Sequence, residues 1–218
     1  VKQLTSIEGK FKGVRQGTGV GDNRYSTHSR TTITTSSKII VMAAAEVWFL
    51  RAEAALRGFT SEDVESCYKQ GVTTSFAQWD ASGVSEYLES ENTPADYVDT
   101  FDKNFDAKAT TSITPKWDNT ADNETKLERI ITQKWLAIYP EGCEAWAEQR
   151  RTGYPKLFKV VVNNSSNAIS TDDMIRRVFF NQDYITNNKP LYDALVSKLG
   201  GLDTGGTRLW WDTGKNNF

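Results

Sequence analysis

The chain is poor in the residues that carry most side-chain chemistry. Its 218 residues include one histidine, His28, and two cysteines, Cys67 and Cys143. There is no CxxC pair, and a lone His in a polar segment offers no ligand set, so no metal site and no cofactor are predicted. Neither cysteine has a basic residue directly beside it to favour the thiolate, so no nucleophile is expected and the catalytic residues are none. Both cysteines fall on apolar helical faces. That predicts two buried free thiols, and a disulfide between them stays open. Positive charge is not in excess: Lys and Arg number 26 against 28 Asp and Glu. Nothing in that balance points to nucleic acid or anionic lipid. No run of about 18 apolar residues occurs, so no helix is predicted to span a membrane. Neither a signal-peptide pattern nor an N-terminal lipid-attachment cysteine is seen.

Aromatic residues and helical periodicity are well represented. The chain is organised around Leu127 to Pro155, which reads as two helices joined by a tight break. Leu127, Ile130, Ile131, Trp135 and Ile138 recur at helical spacing. Thr125 and Glu128 have the spacing of a capping box, which predicts a start near Thr125. Pro140 disfavours helix at Tyr139, and Gly142 follows, so the first helix is predicted to end there. The second carries Cys143, Trp146 and Ala147 on one face over 141–151. Gly153 suits the position just past its end, and Pro155 blocks continuation.

A second helical pair lies upstream. Residues 38–58 are apolar around most of their girth, as expected of a helix buried on more than one side. Glu46 and Glu53, seven apart on one face, read either as an acid/base pair or as solvated or Arg-paired carboxylates. Ser61 is the predicted cap of a helix over 61–79, with Val64, Cys67, Tyr68, Val72, Phe76 and Trp79 on its apolar side. Gly71 inside it predicts a close helix crossing. Trp48, Trp135 and Trp146 are predicted to be largely buried. The fold class is therefore mainly α, with two antiparallel, tetratricopeptide-like helical hairpins and long irregular loops, in one domain over residues 1–218.

The connections are polar. Lys10 to Val14 alternates as a short strand would. Gly17, Gly19 and Gly21 crowd one turn without the strand and helix that a phosphate loop needs. Pro94 to Phe101 has the pattern of a short helix with Pro in its first turn. Trp117 sits among Asp and Asn in a loop-like setting. It reads either as a sugar-stacking ring or as a pin that holds the loop to the helical body. Tyr97 and Trp117 are the first candidates for ligand contact. Arg150, Arg151, Arg176 and Arg177 read as an anion site or as partners of local carboxylates and helix-end carbonyls. Leu157 to Val162 reads as extended, Asn163 to Asn167 as a turn, and Pro190 to Leu199 as a short helix stopped by Gly200 and Gly201. Trp210 and Trp211 are predicted to pack on the helical body.

QKWLAIYPEGCEAWAEQRRTGYPKL resembles the signature of the SusD/RagB family, the surface lipoproteins of glycan-uptake systems. Ala45 to Gly58 resembles that family's helix reading roughly AEvyFLrAEAalrG. Arg176 to Asn181 and Arg208 to Asp212 resemble its late RR segment and its tryptophan-rich tail. The resemblance implies a SusD-like α/α fold at the outer membrane and cell surface, and a nutrient-binding protein rather than an enzyme. It also implies an oligosaccharide or other nutrient as ligand and a SusC-like TonB-dependent transporter as partner. The family normally carries a signal peptide and an N-terminal lipid anchor and runs to about twice this length. By that resemblance the chain is a C-terminal portion, and residues 1–218 alone are expected to bind glycan weakly or not at all. The alternative is a helical-repeat interaction scaffold without a small-molecule site of its own.

Overall fold

The computed structural model describes residues 11–18, 23–29, 31, 33–37 and 39–218. Lys10 of the expected strand, and Gly19 and Gly21 of the glycine-rich turn, lie outside them. The described residues hold seven α-helices and no strand. They are α1 (Ala44–Leu56), α2 (Val64–Gln78), α3 (Val84–Leu88), α4 (Asn123–Ala137), α5 (Gly142–Thr152), α6 (Gln182–Asn187) and α7 (Lys189–Leu199). The chain, read above as one domain, groups into two compact units. One comprises residues 1–14, 22–157 and 216–218; the other comprises 15–21 and 158–215.

In the first unit α1 packs along α2, and α4 lies against both, with α5 turning back on α4. These are the two hairpins that the sequence periodicity predicts. Their ends differ from the expected ones. Helix α1 starts at Ala44, because Ala43 is extended, and Ile39 and Val41 before it stand 90% and 92% exposed. The β-branched run Ile39–Val41 favours extended backbone over a further helical turn. Asp63, not Ser61, caps α2 by accepting from Ser66 N at 2.8 Å. Asp122, not Thr125, caps α4, accepting from Thr125 N at 2.7 Å. In both cases a carboxylate outcompetes a hydroxyl nearby. Gly153 ends α5 in the left-handed conformation, as expected, with φ 79°.

The core is built from Ala45, Phe49, Ala52, Cys67, Tyr68, Val72, Leu127, Ile130, Ile131 and Ala137. Each large member contributes about 2 kcal/mol by leaving water. Trp48, Trp135 and Trp146 are half-buried rather than largely buried, and Trp48 packs at the edge of this core. Trp48 lies under the Arg51 guanidinium at 3.9 Å and Trp146 under that of Arg150 at 3.7 Å, which keeps one face of each ring at the surface. Cys67 is buried, Cys143 is exposed, and both are free. Cys143, expected to be buried, stands in the exposed first turn of α5. Gly71 marks the predicted crossing: a Cβ there would stand 2.8 Å from Cε1 and Cζ of the Phe49 ring.

The charged residues of the hairpins are buried among themselves. Lys134, 1% exposed, lies 3.4 Å from Glu46, 3.1 Å from Glu144 and 3.5 Å from Glu148. Arg151 forks onto Glu53 at 2.7 and 2.6 Å and onto Glu148 at 3.0 and 2.8 Å. Glu53 also takes Arg57 at 2.8 Å. Glu46 and Glu53 are thus ion-paired, one to lysine and one to two arginines. Burial alone would raise the Glu53 carboxyl, but Arg151 and Arg57 outweigh it and hold it below the ordinary 4.5.

The long 80–122 connection contains α3 and a 3-10 turn at Lys103–Phe105. Pro94 to Phe101 is not helical. Instead Tyr97 and Ala107 exchange backbone hydrogen bonds of 2.8 and 2.9 Å as an isolated antiparallel bridge. Lys12, within the expected strand, is held to Ser29 through backbone and hydroxyl at 2.9 and 2.7 Å. The last residues return to this unit: Asn217 Nδ2 donates to Thr152 O at 3.0 Å, and Phe218 lies under Arg57 at 5.0 Å.

The second unit is held by two arginines that the sequence reading left between two roles. Arg176 pairs with Asp212 at 2.6 Å, both side chains buried, and Arg208 takes the same carboxylate at 2.6 Å. Arg177 pairs with Asp203 and lies under no other anion in the described residues. Gly205 O accepts from Arg176 N at 2.7 Å, and a Cβ on Gly206 would meet Ala168 O at 2.5 Å, so this turn admits no side chain. Residues 158–162 form neither helix nor strand and bend at Val161; Val162 N donates to Gly17 O at 2.7 Å, and Arg15 Nη2 to Lys159 O at 2.8 Å. Trp210 does not pack as expected; it is 92% exposed.

Two stability measurements test this architecture. Alanine suits a helix better than glycine by about 1 kcal/mol, yet Gly71→Ala should lower the urea midpoint by a net ~1–3 kcal/mol because the Phe49 ring has no room to retreat. An unchanged midpoint would show that the ring yields. Lys134→Met should cost about 3–5 kcal/mol, since it strands buried carboxylates without a cation. Because Glu53 titrates lower in the folded chain than its ordinary value, its stabilisation is complete above about pH 4.5 and fades as pH falls through the folded value. Glu53→Gln should therefore be less stable than the parent at pH 7, with the gap closing in acid.

Candidate functional site

Helices α2 and α4 end side by side, and their ends leave aromatic rings without a core to fill. Ser75 and Phe76 from the last turn of α2, followed by Trp79 and Ala81, form one wall. Trp135 and Leu136 of α4, then Ile138, Tyr139 and Pro140, form the opposite one. Glu141, Gly142 and Ala145 at the start of α5 close one end, and Thr31 adds a hydroxyl-bearing residue. Together they enclose a pocket of about 590 Å³ within the first unit, a size ordinary for a small-molecule site.

The walls are supported from behind. Phe76 leans on Tyr87 at 5.2 Å, and Gln133 Nε2 donates to the Tyr87 hydroxyl at 2.8 Å. Trp79 and Tyr139 face each other across 6.4 Å at an interplanar angle of 52°. Tyr139 is 39% exposed and Leu136 half-exposed, so both reach the opening. Glu141 is the one lining residue that carries a formal charge. Its carboxylate accepts from Cys143 N at 3.3 Å as the N-cap of α5. Aromatic faces with a few hydroxyls and a carboxylate at the rim can stack on an apolar ring face and pair with hydroxyl groups around it.

The two sequence-based candidates lie in the long connection and are not among the lining residues. Trp117 is 8% exposed, tilted onto Tyr68 at 5.0 Å, with its indole N–H donating to Asn119 Oδ1 at 2.9 Å. Tyr68 is fully buried and donates to Pro115 O at 2.6 Å. Trp117 therefore pins the loop to α2, the second of its two readings, and leaves no open face for a sugar. Tyr97 is half-buried, and its hydroxyl donates to Asp99 Oδ2 at 3.0 Å beside Tyr25 at 3.1 Å. Asp99 also accepts from Phe101 N and Asp102 N at 2.8 and 3.0 Å. Burial opposes ionisation of Asp99, but these donors prevail and its carboxyl sits below the usual range. Tyr97 is thus a loop anchor with part of its ring exposed. The pocket rings Trp79 and Trp135 went unnoticed because helical spacing assigns them to the apolar helix faces, and Tyr139 because it reads only as the helix end before Pro140. The available signal was an aromatic residue in or just past the last turn of each of two neighbouring helices.

A site residue should be dispensable for folding. Leu136→Gln is expected to move the urea midpoint by no more than about 1 kcal/mol, whereas Tyr68→Ala should cost ~3–5 kcal/mol, as large aromatic truncations do. A loss at Leu136 comparable to that at Tyr68 would make the pocket wall structural.

Comparison with known proteins bears on what such a pocket serves. No curated protein matches the chain. The family model for SusD-like proteins, described as Susd and RagB outer membrane lipoprotein, matches residues 1–212. A crystal structure of a SusD homologue from Bacteroides vulgatus is 52% identical, with a TM-score of 0.88, over 96% of this chain and 44% of that one. A chitin-binding SusD homologue from Flavobacterium johnsoniae is 42% identical at a TM-score of 0.90, covering 97% and 45%. A homologue from Bacteroides thetaiotaomicron is 37% identical at 0.86, covering 94% and 46%. The chain thus spans less than half the length of these solved relatives. With its helical hairpins and its match across nearly all its residues, the chain belongs to the SusD-like family of outer-membrane lipoproteins.

Proposed function

We propose that the chain is part of a non-catalytic, cell-surface glycan-binding protein that works with a SusC-like TonB-dependent transporter. The observation that carries the reading is the aromatic-walled pocket. Its lining includes one carboxylate, Glu141, whereas glycoside hydrolysis uses two flanking the scissile bond. That supports capture over cleavage. The chitin-binding relative at 42% identity supports a sugar as the captured ligand.

The magnitudes fit a modest affinity. Three stacking rings contribute ~1 kcal/mol each, and one or two hydrogen bonds add ~1 kcal/mol apiece. The sum, about 4–5 kcal/mol, corresponds to a dissociation constant near or just below millimolar. The described lining residues all belong to one compact unit. Residues 1–218 should therefore retain weak binding of their own.

A second reading is favoured by α1, where Val47 and Leu50 leave an apolar stripe exposed. On that reading the hairpins are an interaction scaffold, and the transporter rather than a glycan is their partner.

Affinity electrophoresis and titration calorimetry of residues 1–218 against a panel of neutral oligosaccharides test the first reading. Retardation by at least one glycan, weakened about fivefold or more by Trp79→Ala or Trp135→Ala with the helical circular dichroism unchanged, is the expected result. Retention by the transporter with no glycan response would favour the scaffold. New reducing ends on incubation would overturn the non-catalytic assignment.

A further inference from the structure

The charge around the aromatic pocket is one-sided. None of the described lining residues is lysine, arginine or histidine, and Glu141 is the one that carries a carboxylate. Asp80 follows Trp79 directly, and Glu144 stands in the first turn of α5. Among the described residues the cation nearest in sequence is Lys134, which precedes Trp135 and Leu136. It is 1% exposed and already faces Glu46, Glu144 and Glu148, so it offers no free positive field to the pocket.

The start of α5 would ordinarily attract an anion through its free N–H groups and its dipole. Here that end is filled from within the chain. Glu141 accepts from Cys143 N, and Glu144 adds a second negative charge in the same turn. The ring faces of Trp79, Trp135 and Tyr139 present the negative side of their quadrupoles, which favours C–H groups and disfavours carboxylate or sulfate.

We propose that this pocket takes uncharged pyranosides and rejects acidic glycans, and that Glu141 is the residue that sets the rejection. The inference rests on the reading of the pocket as a glycan site and adds its ligand class. A neutral sugar meets ring faces and can donate its hydroxyls to the Glu141 carboxylate. A uronate or sulfate on the same ring meets that carboxylate as a like charge, with no cation in the lining to offset it. Selectivity of this kind comes from a repulsive element rather than from an extra contact.

The test is calorimetric titration of residues 1–218 with neutral trisaccharides, N-acetylglucosamine trimer among them, beside a galacturonate trimer. It is run at about 10 mM and about 150 mM salt. The neutral-over-acidic preference should be at least about fivefold at low salt, the size of one unit-charge repulsion at a few ångströms in water. It should shrink at high salt. Glu141→Gln keeps an acceptor for the Cys143 N–H and removes the charge, so the preference should narrow in this variant at low salt while its melting curve matches the parent. Equal or tighter binding of the acidic trimer at low salt would overturn the proposal. So would a preference that neither salt nor Glu141→Gln changes, since shape alone would then be responsible. Failure of every glycan to bind would overturn the underlying site assignment itself, a result distinct from loss of selectivity.

Discussion

The first unit depends on one constraint: a fully buried lysine and, beside it, a partly exposed arginine have to be neutralised between helices. Lys134 on α4 and Arg151 on α5 gather Glu46 and Glu53 from α1 and Glu144 and Glu148 from α5. Taking such charges from water costs several kcal/mol per ion unless opposite charges and hydrogen bonds meet them in good geometry. The fork of Arg151 meets two carboxylates in bidentate fashion, and the Lys134 ammonium has three carboxylates within reach. Sliding α1 by a turn along α4 or α5 would separate these partners. The cluster thereby fixes the register in which the two hairpins stack, which a generic apolar seam of Ala, Leu and Ile would leave looser. The motif from Gln133 to Pro155 is charged partly for this reason: Lys134 and Glu148 are internal, and Glu144 and Arg151 complete their pairing from a more exposed position.

With the register fixed, the remaining features of this unit follow from where helices stop. Tyr68 and Phe49 fill the α1–α2 crossing that Gly71 makes possible, and Trp117 and Pro115 tie the long connection to Tyr68. Arg129 Nε reinforces that tie by donating to Thr114 O at 3.0 Å, and Lys156 reaches the buried Glu128 at 2.9 Å. Near the ends of α2 and α4, Phe76 leans on Tyr87 and Trp79 on Tyr139. Phe76, Trp79, Trp135 and Tyr139 surround open space, and the pocket is what this stacking leaves unfilled.

The second unit uses a different device. Its short helices α6 and α7 bury little, and its cohesion comes from Arg176, Arg177 and Arg208 meeting Asp212, Asp203 and Asp173 around a turn too tight for a side chain at Gly206. The RR segment thus has a structural reading, with each guanidinium matched by a carboxylate some 26 to 36 residues away.

The sequence alone determined what depends on local periodicity and on steric rules. Four helical segments, the breaks at Pro140 and Gly153, the close crossing at Gly71 and the family motif were all legible, because apolar spacing and Gly/Pro geometry act within a few residues. Caps were misread by two and three residues, since Ser61 and Thr125 compete with carboxylates at Asp63 and Asp122 that satisfy the helix N–H groups better. Tertiary structure decided everything that joins distant residues. It turned Glu46 and Glu53 from surface candidates into buried partners of Lys134 and Arg151, and Trp117 from a loop aromatic into a core pin. It also moved Trp79 and Trp135 from presumed core to pocket wall, with Tyr139 beside them. Helical spacing says which side of a helix is apolar. Only the packing of the neighbouring helix says whether that side is covered, and near the ends of α2 and α4 it is not.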